Sequence, residues 1–366
     1  MSTAGEASLP SDIGRWLDGN AADLDAASEG SSALLPQLAQ AGLFKIGVPA
    51  RDGGAGADVS DAARAIAAVS ARSLAAGFVF WGHRTFIEYL LQSPNAALRE
   101  KLLPDLLAGR RAGATGLSNA MKFLNGLEAL QVKATSHDRA VHINGTLPWV
   151  TNLRKEGFDV AAAVQGDDHS AFIVSLSSDD DGVERSGDLD LMAMRATNTA
   201  AIRITRAEIG EDRIIHADAG KWLPQVRPAF LGLQCGMSIG LASRSLAEAR
   251  KLVGRDRGVL TGPIERLTAE LDDLEQRLLS RLIGSFFVEQ PVHLFRLRIR
   301  FAEIVNEALQ LELGATGGKA YLSGPGEGYQ RRLRESAFVP VVTPSLVQLR
   351  TVIDAHEQRS TKREIA

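Results

Sequence analysis

The chain has 366 residues, a formal net charge of −3 at neutral pH and a hydrophobic content of 45%. This length exceeds what one core usually serves, so we expect two or three structural units. A slightly acidic chain without a basic stripe is unsuited to nucleic acid. Cys235 is the only cysteine, which excludes a disulfide within the chain and favours a reducing compartment. No apolar run approaches the roughly 20 residues of a membrane span. We therefore expect a cytoplasmic protein that binds neither nucleic acid nor membrane.

Helical periodicity dominates the first part of the chain, from about Leu34 to Leu107. Residues 34–43, 60–91 and 97–109 each place apolar side chains at spacings of three and four, which predicts helices. Between the first two lies VPARDGGAGADVS, where Pro, Gly and Asp crowd together and periodicity is lost. This segment is predicted to be a loop. Its glycines do not follow a strand within a βαβ unit, so they do not form a dinucleotide fingerprint.

Short β-like runs separated by turn signals follow, from about Gly113 to Ile215. Near their middle, the stretch INGTLPWVTNL predicts a strand, an Asn-Gly turn and then an aromatic plate, Trp149, two residues before a hydroxyl, Thr151. The acidic stretch at residues 177–190 is predicted to be a solvated hairpin or connection.

The last part of the chain is helical again. Residues 264–284 repeat apolar side chains along one face and carry charges on the other, which predicts an amphipathic helix in a bundle. Pro291 separates it from a second such helix. Upstream, Gly232, Gly236 and Gly240 recur every fourth residue, so a neighbour is expected to approach closely there, either a crossing helix or a cofactor.

Five segments carry a resemblance to a known family. They are residues 42–56 (GLFKIGVPARDGGAG), 102–110 (LLPDLLAGR), 143–152 (INGTLPWVTN), 194–215 and 314–336. Their order and spacing resemble the acyl-CoA dehydrogenase superfamily. The resemblance implies an α+β fold with an N-terminal helical domain at residues 1–111, a central β domain at 112–216 and a C-terminal four-helix bundle at 217–366. It also implies a homodimer or homotetramer assembled through the bundle.

The resemblance implies a flavin between the β domain and the bundle, FAD in preference to FMN. In the family, the Trp and Thr matched by Trp149 and Thr151 contact the flavin ring, and an aromatic plate with a short donor suits that task. The alternative is that both residues simply close a strand end. The flavin-lining set is completed by residues that stand at the family's other contact positions: Ser118, Asn119, Gly317 and Gly318.

The catalytic base of the dehydrogenases has no obvious counterpart. Family members need a carboxylate next to the substrate thioester, and the matching stretch VVTPSLVQLR places Thr343 at that position. The other family site carries Val226 and Arg227, of which Arg227 is expected to help shape the pocket. Glu335 and Glu289 are the displaced candidates, and both are also explained as surface or ion-paired carboxylates.

Two-component monooxygenases of the same fold need no such carboxylate, and they commonly place histidines near the flavin. His83 is located like one of these, with Trp81 as a pocket aromatic beside it. The alternative is a satisfied core histidine. The sequence thus leaves three hypotheses: an acyl-CoA dehydrogenase-type oxidoreductase, a reduced-flavin-dependent monooxygenase, and a flavin-binding relative without turnover. Their partners would be a small molecule such as an acyl-CoA, and a flavin reductase or an electron-transfer protein. No histidine or cysteine pattern indicates a metal site.

Overall fold

In the N-terminal part of the chain, four helices surround a fifth, which is buried. The computed structural model describes residues 9–27, 30–137 and 140–365. Its N-terminal helices are α1 (Ser11–Ala26), α2 (Ser31–Gln40), α3 (Val59–Ser70), α4 (Leu74–Leu91) and α5 (Ala96–Leu107). Helix α4 is buried all round, from Leu74 to Leu90, as expected for a helix that is apolar on every face. It therefore forms the centre of this part of the core.

The predicted loop between α2 and α3 is confirmed, and a buried cation holds it. Arg84 of α4 donates from Nη2 to the Gly47 carbonyl at 2.8 Å and from Nε to the Ile46 carbonyl at 3.3 Å. Its charge is paired with Glu88 at 2.8 Å. Gly47 has a φ of +72°, and a Cβ there would lie 2.4 Å from the Asp58 carbonyl oxygen, so only glycine fits.

A mixed sheet occupies the middle of the chain. Its strands are β1 (Ala112–Thr115), β2 (Val132–His137), β3 (Ala140–Val150), β4 (Phe158–Gln165), β5 (Ala171–Ser177), β6 (Val183–Arg185), β7 (Ala200–Ile209) and β8 (Ile214–His216). Their order is β6-β7-β3-β2-β4-β5-β8, and β1 also pairs with β4. The pairs β1–β4 and β2–β4 are parallel and the others antiparallel. A short helix that periodicity did not predict, α6 (Ser118–Leu124), follows β1.

The prediction of an Asn-Gly turn was wrong. Asn144 and Gly145 lie inside β3, which is paired with β2 on one side and β7 on the other, and the register against β7 shifts between Ile143 and Gly145. A Cβ at Gly145 would lie 2.4 Å from the Gln131 carbonyl oxygen. The Asn144 side chain accepts a bond from the Arg206 backbone N–H at 2.9 Å. The dipeptide therefore makes a bulge, because pairing on both edges overrides its turn preference.

The C-terminal helices form a bundle. They are α7 (Ala219–Leu252), α8 (Thr261–Leu282), α9 (Phe286–Glu289), α10 (Pro291–Thr316), α11 (Glu327–Ser336) and α12 (Leu346–Ile365). The amphipathic pattern of α8 is confirmed, because Ile264, Leu267, Leu271 and Leu278 are buried. The close approach at the α7 glycines is also confirmed. A Cβ at Gly240 would lie 2.1 Å from the Ala67 carbonyl oxygen of α3, so the neighbour there is a helix.

The predicted fold class is confirmed: a central β-rich part lies between helical parts on both sides along the chain. The division at residues 111 and 216 stays a prediction. Among the described residues, no helix combines the length and apolar character that crossing a bilayer requires.

Candidate functional site

One cavity of about 470 Å³ opens where the ends of β1 and β3 meet α4, α6, α7 and the segment between α11 and α12. Its volume lies within the range of roughly 300–1,000 Å³ that is usual for small-molecule sites. Five aromatic residues from these elements line it: Phe78, Trp81, Trp149, Phe230 and Phe338. The ends of these two strands and the surrounding helices thus build a mainly apolar pocket.

Four of these rings form a continuous inner wall, here called the aromatic wall (Phe78, Trp81, Phe230 and Phe338). Phe78 stacks on Trp81, with centroids 5.5 Å apart and an interplanar angle of 9°. Phe338 lies 4.4 Å from Phe78, and Phe230 meets Trp81 edge-on at 5.2 Å. The Trp81 indole donates to the Phe230 carbonyl at 3.2 Å. Because the indole N–H is satisfied, the wall presents carbon surface to the cavity.

Trp149 and Thr151 both line the cavity, at the end of β3. Trp149 is 63% exposed, which is unusual for an indole beside a cavity and leaves much of its ring open to a flat ligand. Thr151 is buried, and its hydroxyl donates to the Thr197 carbonyl at 3.2 Å. Its methyl group packs against α4 at Gly82, where a Cβ would lie 3.0 Å away. The plate is therefore open, while the hydroxyl beside it is held in place.

Ser118 and Asn119 also line the cavity, at the first turn of α6. The Asn119 amide donates to Glu128 at 3.2 Å and accepts from the Gln131 backbone N–H at 2.9 Å, so it ties α6 to the following loop. Lys122, one turn further on, pairs with Glu128 at 2.7 Å, and this bond lowers the pKa of the Glu128 carboxyl. Of the two predicted flavin contacts, Asn119 therefore fixes the loop, whereas Ser118 takes no part in these bonds.

Thr343 lines the cavity from the opposite side, on the segment that joins α11 to α12. Its carbonyl accepts a bond from the Gln234 amide of α7 at 3.0 Å. Among the described residues that line the cavity there is no Asp, Glu or His, and Lys122 is the only ionisable side chain. The pocket itself thus offers hydroxyls, amides and rings, but no carboxylate or imidazole.

His83 lies outside the cavity lining. One ring nitrogen, Nε2, lies 3.0 Å from the Leu106 carbonyl, and the other, Nδ1, accepts from the Gly113 N–H at 2.9 Å. The ring is fully buried against Phe44, with centroids 4.1 Å apart. Burial lowers the pKa of His83 to about 3, so the imidazole is neutral. It joins α4, α5 and β1, and both of its nitrogens are used in doing so.

The displaced acids also lie elsewhere. Glu335 is fully buried, accepts two bonds from Arg331 at 2.8 and 2.9 Å, and accepts a third from the Leu74 N–H at 3.1 Å. Burial raises the pKa of Glu335 to about 7, and the nearby Asp25 adds to the rise while Arg331 opposes it. Glu289 is exposed at the end of α9. Neither acid lines the cavity.

The remaining predicted residues also lie away from the cavity lining. Arg227 is buried on α7, with its guanidinium 5.3 Å from the centre of the Phe295 ring, and desolvation lowers its pKa to about 10. Gly317 and Gly318 follow the end of α10. Gly317 has a φ of +64°, and a Cβ there would lie 3.1 Å from the guanidinium of Arg257. Of the predicted site residues, the structure thus brings together one set only: Ser118, Asn119, Trp149, Thr151, Thr343 and Trp81.

Most of the aromatic wall could not be predicted from the sequence. Phe78 and Phe230 stand on helices among many other apolar residues, and Phe338 follows a helix. Apolar side chains at helical spacing look the same whether they face a core or a cavity. The one available signal was the number of aromatic residues around Trp81.

Comparison with known proteins finds one family model that matches part of the chain, and solved structures of dehydrogenases and of a monooxygenase. Residues 15–110 match the family described as acyl-CoA dehydrogenase, N-terminal domain. Benzylmalonyl-CoA dehydrogenase of Aromatoleum aromaticum is 25% identical over 253 residues, which are 68% of this chain and 67% of that protein. Mitochondrial isovaleryl-CoA dehydrogenase of Pongo abelii is 26% identical over 198 residues, 51% of this chain and 46% of that protein. The match thus spans less than half of this second relative.

Solved structures share the fold almost from end to end. Glutaryl-coenzyme A dehydrogenase in complex with glutaryl-CoA has a TM-score of 0.79 at 16% identity, covering 98% of this chain and 96% of that one. Dibenzothiophene monooxygenase from Paenibacillus sp. A11-2 has a TM-score of 0.72 at 16% identity, covering 93% and 94%. Identities this low establish the fold alone, and this fold serves both reactions.

Proposed function

We propose that this chain, which has the fold of the acyl-CoA dehydrogenase superfamily and resembles it in sequence, is a flavin-dependent oxidoreductase that oxygenates a small apolar substrate. The observation that carries the proposal is the cavity lining. It combines an aromatic wall with an open indole and hydroxyls, and its described residues include no carboxylate and no imidazole. Oxygenation tolerates that lining, whereas desaturation of a thioester does not.

The residues present fit a flavin. The cavity is large enough for a flat ring system, and Trp149 leaves 63% of its surface exposed beside it. Trp149 would cover one face of the ring, and Ser118 and Thr151 would lie at its polar edge. FAD is the preferred form and FMN the alternative. When bound, either form supplies two-electron chemistry, by taking a hydride or, once reduced, by reacting with oxygen.

Desaturation of an acyl thioester requires a base that removes the proton next to the carbonyl. Thr343 carries an alcohol, which is too weak a base for this task. Lys122 is tied to Glu128 at 2.7 Å. Glu335 is held by Arg331 and the Leu74 N–H, and both nitrogens of His83 are bonded to the backbone. Thr343 is thus too weakly basic, Lys122 is already paired, and Glu335 and His83 lie outside the cavity lining, so we expect none of these groups to take a proton from a ligand there.

The chain's own contribution to oxygenation would be to position the substrate and to exclude water. The aromatic wall would bind an apolar ring by burial and by ring contacts. The same wall would keep bulk water away from the reaction site. Thr343 and Ser345 would supply the hydroxyls that orient a substrate substituent.

Acyl-CoA dehydrogenation is the second candidate, and the curated relatives favour it. Benzylmalonyl-CoA dehydrogenase and isovaleryl-CoA dehydrogenase both act, by their names, on CoA thioesters. For this chain to do so, a carboxylate such as Glu335 would have to leave its bonds with Arg331 and enter the cavity. Such an exchange would break the ion pair of a fully buried carboxylate with the partly buried Arg331, which is costly.

The test uses the purified full chain with reduced FMN or FAD, indole as the first apolar ring substrate, and oxygen-18 gas. We expect oxygen-18 to appear in the organic product, and Phe78→Ala to lower its yield more than the exposed-site control Val259→Ala. Products without the label across a panel of apolar ring compounds would refute oxygenation. Bleaching of the oxidised flavin by an acyl-CoA without oxygen would establish the second candidate instead. Flavin binding with neither response would mean a relative without turnover.

A further inference from the structure

A buried cation stands directly behind the wall of the cavity. Arg298 of α10 is 1% exposed. Its Nε donates to the Gln234 side-chain oxygen at 2.8 Å, and its Nη2 donates to the Val339 carbonyl at 2.6 Å. Its third nitrogen, Nη1, is buried and has no hydrogen-bond partner among the described residues. Such an unsatisfied buried group is rare and calls for an explanation.

No described acid compensates this charge. No carboxylate of the described chain lies within ion-pair distance of Arg298, in contrast to the buried pair of Arg332 with Glu312. Burial lowers the pKa of Arg298, but a guanidinium remains charged at neutral pH. Cys235 lies nearby, and burial raises the pKa of its thiol to about 12, so it is neutral. Glu335 is engaged by Arg331. An isolated buried charge is costly unless something stabilises it.

Hydrogen bonds connect Arg298 to a segment that lines the cavity. Arg298 holds the Val339 carbonyl, and Gln234, which accepts from Arg298, holds the Thr343 carbonyl at 3.0 Å. The segment between these two carbonyls contributes Val341, Val342 and Thr343 to the cavity lining. Phe338 and Val342 line both the cavity and a gap beside Arg298 that is too small for a water molecule. The side chains of Phe338 and Val342 thus form a single apolar layer between the guanidinium and a ligand in the cavity.

We propose that Arg298 is a specificity-determining residue, whose positive charge makes the cavity prefer a flat, mainly apolar ligand with a negatively charged substituent over its neutral isostere. Gln234 acts with Arg298, because its bond to the Thr343 carbonyl holds this segment of the lining in place. The inference rests on the proposed function only for the identification of the cavity as the reaction site. A unit charge acting over roughly 10 Å through protein interior changes the binding of an ion by about tenfold.

The test compares two probes of the same shape, 2-naphthoate and 2-naphthamide, by the quenching of tryptophan fluorescence, since Trp81 and Trp149 both line the cavity. The measured quantity is the ratio of the two dissociation constants. We expect Arg298→Met, which keeps an unbranched side chain, to lower the preference for naphthoate about tenfold. Arg298→Lys keeps the charge and should keep most of the preference.

A second pair of variants covers the case in which Arg298→Met does not fold. Gln234→Glu puts a negative charge beside Arg298 at almost constant volume and should lower the preference as strongly as Arg298→Met. Gln234→Leu loses the same bond to Thr343 without adding charge, and should affect both probes equally. Equal losses for both probes in the Arg298 or Gln234→Glu variants would refute the proposal, as would failure of both probes to bind. No flavin or oxygen enters this test, so a lack of oxygenation with an intact preference would refute the proposed function alone.

Discussion

Replacement of His83 by phenylalanine tests whether this histidine is an uncharged core residue that hydrogen-bonds the backbone. Phenylalanine keeps a ring against Phe44, whose centroid lies 4.1 Å from that of His83. It loses both hydrogen bonds. The Gly113 N–H is then buried without a partner, whereas the Leu106 carbonyl keeps the bond that it accepts from the Gly109 N–H at 3.0 Å. An unsatisfied buried group costs about 1–3 kcal/mol and a lost hydrogen bond about 1 kcal/mol, so we expect a loss of about 2–4 kcal/mol in the free energy of unfolding at pH 7.5.

The pH dependence gives the sharper result. The pKa of His83 falls from 6.5 to about 3 on folding, so the unfolded chain takes up a proton below pH 6.5 and the folded chain does not. The stability that His83 contributes is therefore present above pH 6.5 and is lost as the pH falls toward 3. At pH 5 the loss is about 1.5 pH units, or about 2 kcal/mol. Phenylalanine cannot titrate, so the gap between wild type and variant should shrink by about 2 kcal/mol between pH 7.5 and pH 5.

Urea unfolding at the two pH values, followed by tryptophan fluorescence, measures this gap. Retention of flavin binding by the variant serves as the control that the cavity is intact, because His83 does not line it. A gap of the same size at both pH values would show that His83 titrates normally in the folded protein. The assignment of this residue to the core would then be wrong.

Three further predictions concern an acid, a helix contact and the flavin plate. Because the pKa of Glu335 rises from 4.5 to about 7 on folding, the folded chain holds this proton more tightly than the unfolded chain. The free energy of unfolding should therefore fall by up to about 3 kcal/mol as the pH rises from 4.5 to 7. Urea unfolding of Glu335→Gln should no longer show this fall. Gly240→Ala, whose Cβ would lie 2.1 Å from the Ala67 carbonyl oxygen, should destabilise by more than about 2 kcal/mol in thermal unfolding, whereas Gly314→Ala, with its nearest contact at 3.6 Å, should stabilise by up to about 1 kcal/mol. Trp149→Ala should weaken flavin binding about tenfold in equilibrium dialysis without lowering the unfolding temperature, since its ring is 63% exposed; unchanged flavin affinity would remove Trp149 from the site.

Much of the architecture was predictable because long periodic segments carry their own signal. In helix α8 the spacing of the apolar residues predicts the buried face directly, and the four-residue spacing of the α7 glycines predicts a close neighbour. Helix α6 has only seven residues and no side-chain cap, so its local pattern is too short to register. The bulge at Asn144 was missed because the dipeptide signal describes a free hairpin, whereas β3 is paired on both edges.

The candidate site was predictable only where a motif marked it. Trp149 and Thr151 were found through family resemblance, and Trp81 through its aromatic neighbours. His83, two residues further along the same helix, faces the core instead, and no single-helix pattern separates the two directions. Arg298 was not singled out, because its burial arises only when α10 packs against α7 and the segment after α11.

The most direct test of the account is an anaerobic absorbance titration of the flavin-loaded full chain with butyryl-CoA and isovaleryl-CoA, followed by chemical reduction and admission of oxygen together with an apolar ring substrate. We expect no loss of flavin absorbance with either thioester, because no described carboxylate or imidazole lines the cavity. We expect reoxidation coupled to product formation once oxygen is admitted. Rapid bleaching by a thioester would contradict the proposed oxygenation, since the cavity would then have to contain a working base.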